Sequence, residues 1–308
     1  MGCKQKKISQ NTERENWWLW TANWKPDGGR IVAGGTQDTL RVFSDGDYKL
    51  LKNYRKDGTI TKTKWHPYSN ILAIAMQEGK SRSLIFNFNK DKRIELDSLD
   101  EFDARAIGWN NSGNLLAVGD YSGILTIYDI VGEIVKRIDL DEKGLIGLDW
   151  HPGKNLIAIV GERIALYDFD NDTAISIQPR KQEILMLCVA WHPSGDLFVT
   201  GDYGDFEKDY PPLLQFWNSK GEKIQDIEKS RAEYRNLRWS KDGKLLATAS
   251  DFIRLWTKEG VLVREKKSEN LLWGIDWNNE GNKIVTSDEK GKITVWHKNL
   301  NQISKLVY

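Results

Sequence analysis

Apolar residues in this chain fall in short runs, such as Leu245-Leu246-Ala247-Thr248-Ala249 and Ile284-Val285-Thr286, each bounded by turn-forming residues. That pattern predicts strands separated by tight turns. Seven tryptophans mark the same place in successive units: Trp24, Trp65, Trp109, Trp150, Trp191, Trp239 and Trp277, at intervals of 41, 44, 41, 41, 48 and 38 residues. Turn chemistry follows each of them: Pro26-Asp27-Gly28, His66-Pro67, Asn111-Ser112-Gly113, His151-Pro152-Gly153, His192-Pro193-Ser194-Gly195, Lys241-Asp242-Gly243 and Asn279-Glu280-Gly281. The tryptophan therefore ends one strand and the turn leads into the next. A third strand ends in an aromatic residue: Phe43, Phe86, Tyr128, Tyr167, Trp217, Trp256 or Trp296. A fourth, more polar strand follows, as at Ile134 to Ile138 and Leu262 to Glu265, and its polarity fits an exposed sheet edge.

Four antiparallel strands per unit and seven units predict an all-β chain folded as a seven-bladed β-propeller. With Leu245 to Trp256 as its clearest stretch, the sequence resembles the WD-repeat family over roughly residues 17 to 308. No unit carries the family's Gly-His pair, and its Trp-Asp pair survives only as Tyr128-Asp129 and Tyr167-Asp168, so the family's Asp-His-Ser-Trp hydrogen-bond set is incomplete. Asp38, Asp120, Asp202, Asp251 and Asp288 occupy the turn between second and third strands, where a carboxylate accepts local backbone N–H bonds. The family usually completes one blade with strands from both termini. Here Gln302 to Val307 already supplies a fourth strand for the last unit, so ring closure is expected to rest on side-chain packing, with Lys7 to Ser9 free to add an outer strand.

Strand alternation places the loop entering each first strand and the loop joining strands two and three on one face of the disc, the upper face. Counting back from each repeat tryptophan, the second and fifth residues form apolar columns, as with Ala22 and Leu19 or Ile275 and Leu272, and are read as core. The fourth residue back is Trp20, Thr61, Arg105, Ile146, Leu187, Arg235 or Trp273. The resemblance implies that this mixed column points to the upper mouth of the central channel. Closure of the ring puts Trp20 beside Trp273, with Trp17 and Trp18 near. Two readings follow, a recognition patch of the Trp and Arg type common at binding hot spots or aromatic packing of the closing seam.

The interval of 48 residues comes from unit five, where the segment Gly201 to Pro212 is lengthened between strands two and three. Its Tyr203, Asp205, Phe206 and Tyr210 are candidate partner-binding residues, since loops on a rigid scaffold often carry specificity. A neutral insertion and a cation site built from Asp202, Asp205, Glu207 and Asp209 are the competing readings.

Composition narrows the function classes. Hydrophobic residues make up 40% and charged residues 29%, enough for a packed core. Lys plus Arg number 45 against 44 Asp plus Glu, and this balance selects neither nucleic acid nor an anionic membrane as partner. His66, His151 and His192 hold equivalent positions in separate units and His297 sits at a blade end, which suits turn structure more than a converging catalytic site. No Gly-rich phosphate loop, Ser-His-Asp order or cysteine cluster is present, so no catalytic residue, metal or cofactor is assigned. Lys64, Asp149, Arg238 and Asp276, immediately before the repeat tryptophans, are expected to line the channel. Of the two cysteines, Cys188 lies in an apolar run and reads as a buried thiol.

The sequence therefore predicts a non-catalytic scaffold that binds a protein or peptide on its upper face, with a hydrolase or lactonase acting at the channel mouth as the alternative. The start, Met1-Gly2-Cys3-Lys4-Gln5-Lys6-Lys7, precedes a polar stretch to Asn16 read as a flexible tether over residues 1 to 16. Gly2-Cys3 resembles a bacterial lipoprotein cleavage site, with Cys3 the lipidated residue. The other readings are Gly2 and Cys3 acylation of the eukaryotic kind and an ordinary basic start. Location follows from this, cytoplasmic without the lipid or membrane-anchored with it.

Overall fold

The computed structural model describes residues 17–56, 58–79, 82–96, 103–142 and 144–308. Twenty-eight strands form seven four-stranded sheets, each antiparallel and each made of four consecutive strands. This is the seven-bladed β-propeller that the repeat pattern predicts. The first strands are Leu19–Trp24, Thr59–Trp65, Ala104–Trp109, Gly147–Trp150, Met186–Trp191, Asn236–Trp239 and Leu272–Trp277. Each packs on the first strand of the next blade, and the seventh packs on the first, so these strands surround the central channel. The fourth strands are mostly exposed, as in Leu262–Lys267, because they form the outer edge.

The hydrophobic core consists of seven clusters, each lying between two neighbouring blades. A single twisted sheet has two apolar faces and covers them only by stacking on its neighbours. Both apolar columns of the first strands are buried in these clusters or against them, from Leu19 and Ala22 to Leu272 and Ile275. The seam is one more cluster of the same kind: Leu19, Ala22, Trp24, Ile31, Ala33 and Phe43 of blade one meet Val285, Ile293, Val295 and Leu306 of blade seven. Blade seven takes its fourth strand from Gln302–Leu306, so no blade is shared between the described ends and side-chain packing closes the ring. At Gly274 an added Cβ would stand 2.6 Å from the Ala22 nitrogen, a measure of how closely the blades approach there. Cys3 and Lys7 to Ser9 lie outside the described residues.

Hydrogen bonds link the blades as well. The indole N–H groups of Trp109, Trp150 and Trp277 donate to the carbonyls of Lys64, Gly108 and Arg238 in the preceding blade, at 3.3, 2.9 and 3.1 Å. On the lower face, Nε2 of His66, His151 and His192 lies 3.0, 3.0 and 2.9 Å from the carbonyl oxygens of Gly113, Gly195 and Gly243 in the following blade. Their Nδ1 atoms accept from Tyr68, Gly153 and Ser194 backbone N–H groups, which fixes the neutral, Nε2-protonated tautomer. Within blades, Trp217, Trp256 and Trp296 donate to Thr200, Thr248 and Thr286 Oγ1 at 3.0, 3.1 and 2.9 Å.

The turn aspartates act largely as expected. Asp120 accepts from the Ser122 and Ile124 N–H groups, and Asp288 from those of Lys290 and Lys292. Asp38 differs: it adopts a left-handed φ of 49° and contributes its carbonyl, which accepts from the Lys56 N–H. Among the described residues no helix is long and apolar enough to cross a membrane.

Candidate functional site

One structural device places the mouth residues. In blades one, two, three, five and seven the register between the first and second strands slips by one residue, at Trp20, Thr61, Arg105, Leu187 and Trp273. In blades four and six the N–H groups of Ile146 and Arg235 bond to Val160 and Ala249, the residues already opposite Gly147 and Asn236, which is the same irregularity at a strand start. A β-bulge leaves one residue unpaired and re-aims its side chain. Repeated seven times, it turns the fourth residue before each tryptophan inward at one level. All seven line a single throat at the upper mouth, together with Lys62 and Asn236.

The throat is nearly filled, leaving about 30 Å³. Trp20 and Trp273 meet edge to face with ring centroids 5.2 Å apart, and Trp18 packs on Trp273 at the same distance. The Arg105 guanidinium lies 4.5 Å from the Trp20 ring and donates to Tyr121 Oη at 2.6 Å. The Arg235 guanidinium lies 4.5 Å from the Trp273 ring and pairs with Glu233 at 2.7 Å. These are cation–π geometries. Trp273 is only 7% exposed, and Ile146 and Leu187 are also buried. Trp273 is thus packed into the throat wall and not laid open in an aromatic patch, with Ile146 and Leu187 packed in the same wall. Trp17 stacks instead on Tyr308, at 6.3 Å.

The loop of unit five rises beside this throat. Asp202 anchors its base: the buried carboxylate accepts from Arg180 at 3.0 Å and from the Gly204 and Leu213 N–H groups at 3.0 and 2.9 Å. Burial nonetheless holds its pKa above the usual carboxylate value, against the pull of those donors. Asp205 and Tyr210 exchange backbone hydrogen bonds across the loop, and Asp205 caps a 3-10 turn over Phe206–Lys208. Asp202 and Asp205 are thus engaged by an arginine, a lysine and loop N–H groups, and among the described residues no group of three metal-ligating side chains is present. Tyr203 and Phe206 are 49% and 56% exposed. The Arg235 guanidinium stands 5.7 Å from the Tyr203 ring, so the loop and the throat form one surface.

Beneath the throat the channel is ionic. Arg238 bridges Asp276 at 3.2 Å and Asp149 at 3.8 Å, and Lys64 lies 3.9 Å from Asp149. Burial, reinforced by Arg238, pushes the Lys64 ammonium down to about 7. The wider lower mouth, about 170 Å³, is lined by Lys64, Arg238, Asp276 and the repeat tryptophans of blades one, two, six and seven. The three equivalent histidines are bound in links between blades and do not converge. Sequence reasoning missed Lys62, which follows the bulge at Thr61 and had no signal in the sequence alone. It also missed a cleft of about 330 Å³ at the outer edge of blades six and seven, where Glu269 bridges Lys292 and Lys305 at 2.6 and 3.7 Å.

Comparison with known proteins agrees with this architecture. The family model described as eukaryotic translation initiation factor eIF2A matches residues 121–275, half of the chain. The F-box-like/WD repeat-containing protein TBL1X of Mus musculus is 27% identical over 149 residues, 41% of this chain and 27% of that protein. The protein transport protein sec13 of Emericella nidulans is 22% identical over 303 residues, 89% of this chain and 88% of that protein. A Drosophila melanogaster WD repeat-containing protein 26 homolog is 25% identical over 124 residues, 38% of this chain and 20% of that protein. The chain thus spans about a quarter of the mouse and fly relatives it matches. With seven complete blades and a model match over half its length, the chain belongs to the WD-repeat β-propellers, in the family described as eukaryotic translation initiation factor eIF2A.

Proposed function

We propose that this propeller is a non-catalytic scaffold that captures a protein or peptide on its upper face. Membership in the WD-repeat propellers supports the coarse reading, a platform for protein interaction. The finer reading rests on one observation: Tyr203 and Phe206 stand exposed on an anchored loop, and Arg235 connects that loop to the throat. Exposed aromatics beside a half-buried arginine are the residue types that dominate binding energy at protein interfaces. In this reading Tyr203, Phe206, Tyr210 and Asp205 make the outer contact, Trp20, Arg105 and Arg235 make the inner one, and Ile146, Leu187 and Trp273 hold them in place.

The test is affinity capture from the native cell, read by mass spectrometry, with wild type against a Tyr203→Ala, Phe206→Ala double variant. Both side chains are exposed, so the fold is expected to survive, which far-UV circular dichroism checks. Loss of the captured proteins in the folded variant supports the reading. An unchanged set of captured proteins overturns it.

A further inference from the structure

The throat is rich in donors and poor in acceptors. Its lining contains Lys62, Arg105, Arg235, Trp20, Trp273 and Asn236 but no aspartate or glutamate. Of the three cations, Arg235 alone has a carboxylate partner, Glu233. Arg105 donates to the neutral Tyr121 hydroxyl, and Lys62 has no ion-pair partner among the described residues.

We propose that the throat is a binding site for a carboxylate group, held electrostatically by Lys62 and Arg105. Size allows this class of anion. A cavity of about 30 Å³ holds roughly two waters. That is enough for a planar carboxylate group. Among the lining side chains the acceptors are Asn236 Oδ1 and the Thr61 hydroxyl, which itself donates to the Ala104 carbonyl at 3.0 Å. Burial, with Arg105 and Arg238 close by, pushes the Lys62 ammonium down to about 8. The proposal goes beyond partner capture at the upper face, since a free carboxylate satisfies it.

The experiment follows the protonation of Lys62 by NMR in protein labelled with ¹³C at lysine Cε, with Lys62→Met used only to assign the resonance. Formate and, separately, a blocked Gly-Glu-Gly tripeptide are titrated at constant ionic strength, with chloride and the Gly-Gln-Gly tripeptide as controls. Formate is expected to raise the Lys62 midpoint by about one pH unit, a tenfold preference for the protonated site. A shift with formate supports the site and identifies free small carboxylates as a source. A shift with the glutamate tripeptide but not with formate supports it with an acidic side chain as the source. No shift with either, or an equal shift with chloride, overturns it. None of these readings depends on Tyr203 or Phe206, so failure here and failure of partner capture are distinguishable.

Discussion

The backbone N–H of Trp24 donates to the Asp276 carboxylate at 2.9 Å, across 252 positions of sequence and across the seam of the ring. The same carboxylate holds Arg238 from blade six, so three consecutive blades meet at one side chain. An equivalent link joins Asp149 to the Trp191 N–H at 2.9 Å between blades four and five, but there the chain itself also connects the blades. Asp276 therefore adds a polar tie to the apolar packing that closes the seam.

Asp276→Ala is expected to destabilise the protein by about 3 kcal/mol, because it leaves the Trp24 N–H without its acceptor and the Arg238 guanidinium with Asp149 alone, at 3.8 Å. The loss should be local in a way that distinguishes it from Asp149→Ala. Hydrogen exchange in Asp276→Ala should speed up in blades one and seven, and in Asp149→Ala in blades four and five. Uniform acceleration in both variants would show that the seam is no weaker than any other contact between blades.

The channel lysines give stability a defined pH dependence. Lys64 and Lys62 are pushed down to about 7 and about 8, whereas an unfolded lysine titrates near about 10.4. Below about pH 6 both states are protonated, and these lysines add no slope. From about pH 7 to about 9 the unfolded chain holds more protons than the native one, so stability rises with pH. Above that range the Cys188 thiol, pushed up to about 12 by burial, opposes the trend, since only the unfolded thiol ionises. Toward acid, His66 and His151, held below their ordinary value by burial, make stability fall once the pH drops below about 6.5. Urea midpoints against pH should show both limbs, and Lys64→Met should flatten the rise between pH 7 and 9.

The lower-face links predict a coupled pair. Gly195 has a φ of 73°, and a Cβ added there would lie 2.5 Å from the His151 ring. Gly195→Ala should cost about 1–2 kcal/mol for the left-handed backbone, with a further loss from the displaced imidazole. In a His151→Ala background that further loss disappears, so a double-mutant cycle on denaturation midpoints should give a clear interaction term. Additive effects would mean that the ring moves aside freely.

Most of the fold was legible because its signals are local. The repeat tryptophans, the turns after them and the two apolar columns depend on residues within a few positions of each other, and all are where the sequence put them. The fourth-residue column was legible as a set, and the structure brings its seven members to one throat. The bulge that turns them inward was hidden, since a register slip is a property of two paired strands and leaves no mark on either alone. Burial of Trp273, Ile146 and Leu187 was hidden for a related reason: how far a side chain reaches into the channel depends on Arg105 and Arg235 from other blades. Lys62 had no legible role because its place in the throat depends on the same slip.

The anchor of the unit-five loop yields the sharpest energetic contrast. Asp202 is fully buried and meets Arg180 at 3.0 Å, and Arg180 also donates to the Pro211 carbonyl at 3.2 Å. Removing one member of a buried pair strands the other charge, while removing both charges together costs much less. Arg180→Met alone is therefore expected to destabilise by about 3–5 kcal/mol and to raise the Asp202 pKa further, since burial already acts in that direction. Adding Asp202→Asn should recover most of the loss, because the amide oxygen still accepts from the Gly204 and Leu213 N–H groups and carries no charge to desolvate. Denaturation midpoints measure the stability, and limited proteolysis between Tyr203 and Tyr210 reports the loop. If the double variant is as unstable as Arg180→Met, the arginine acts through its bond to Pro211, and the charge on Asp202 contributes little to holding the loop.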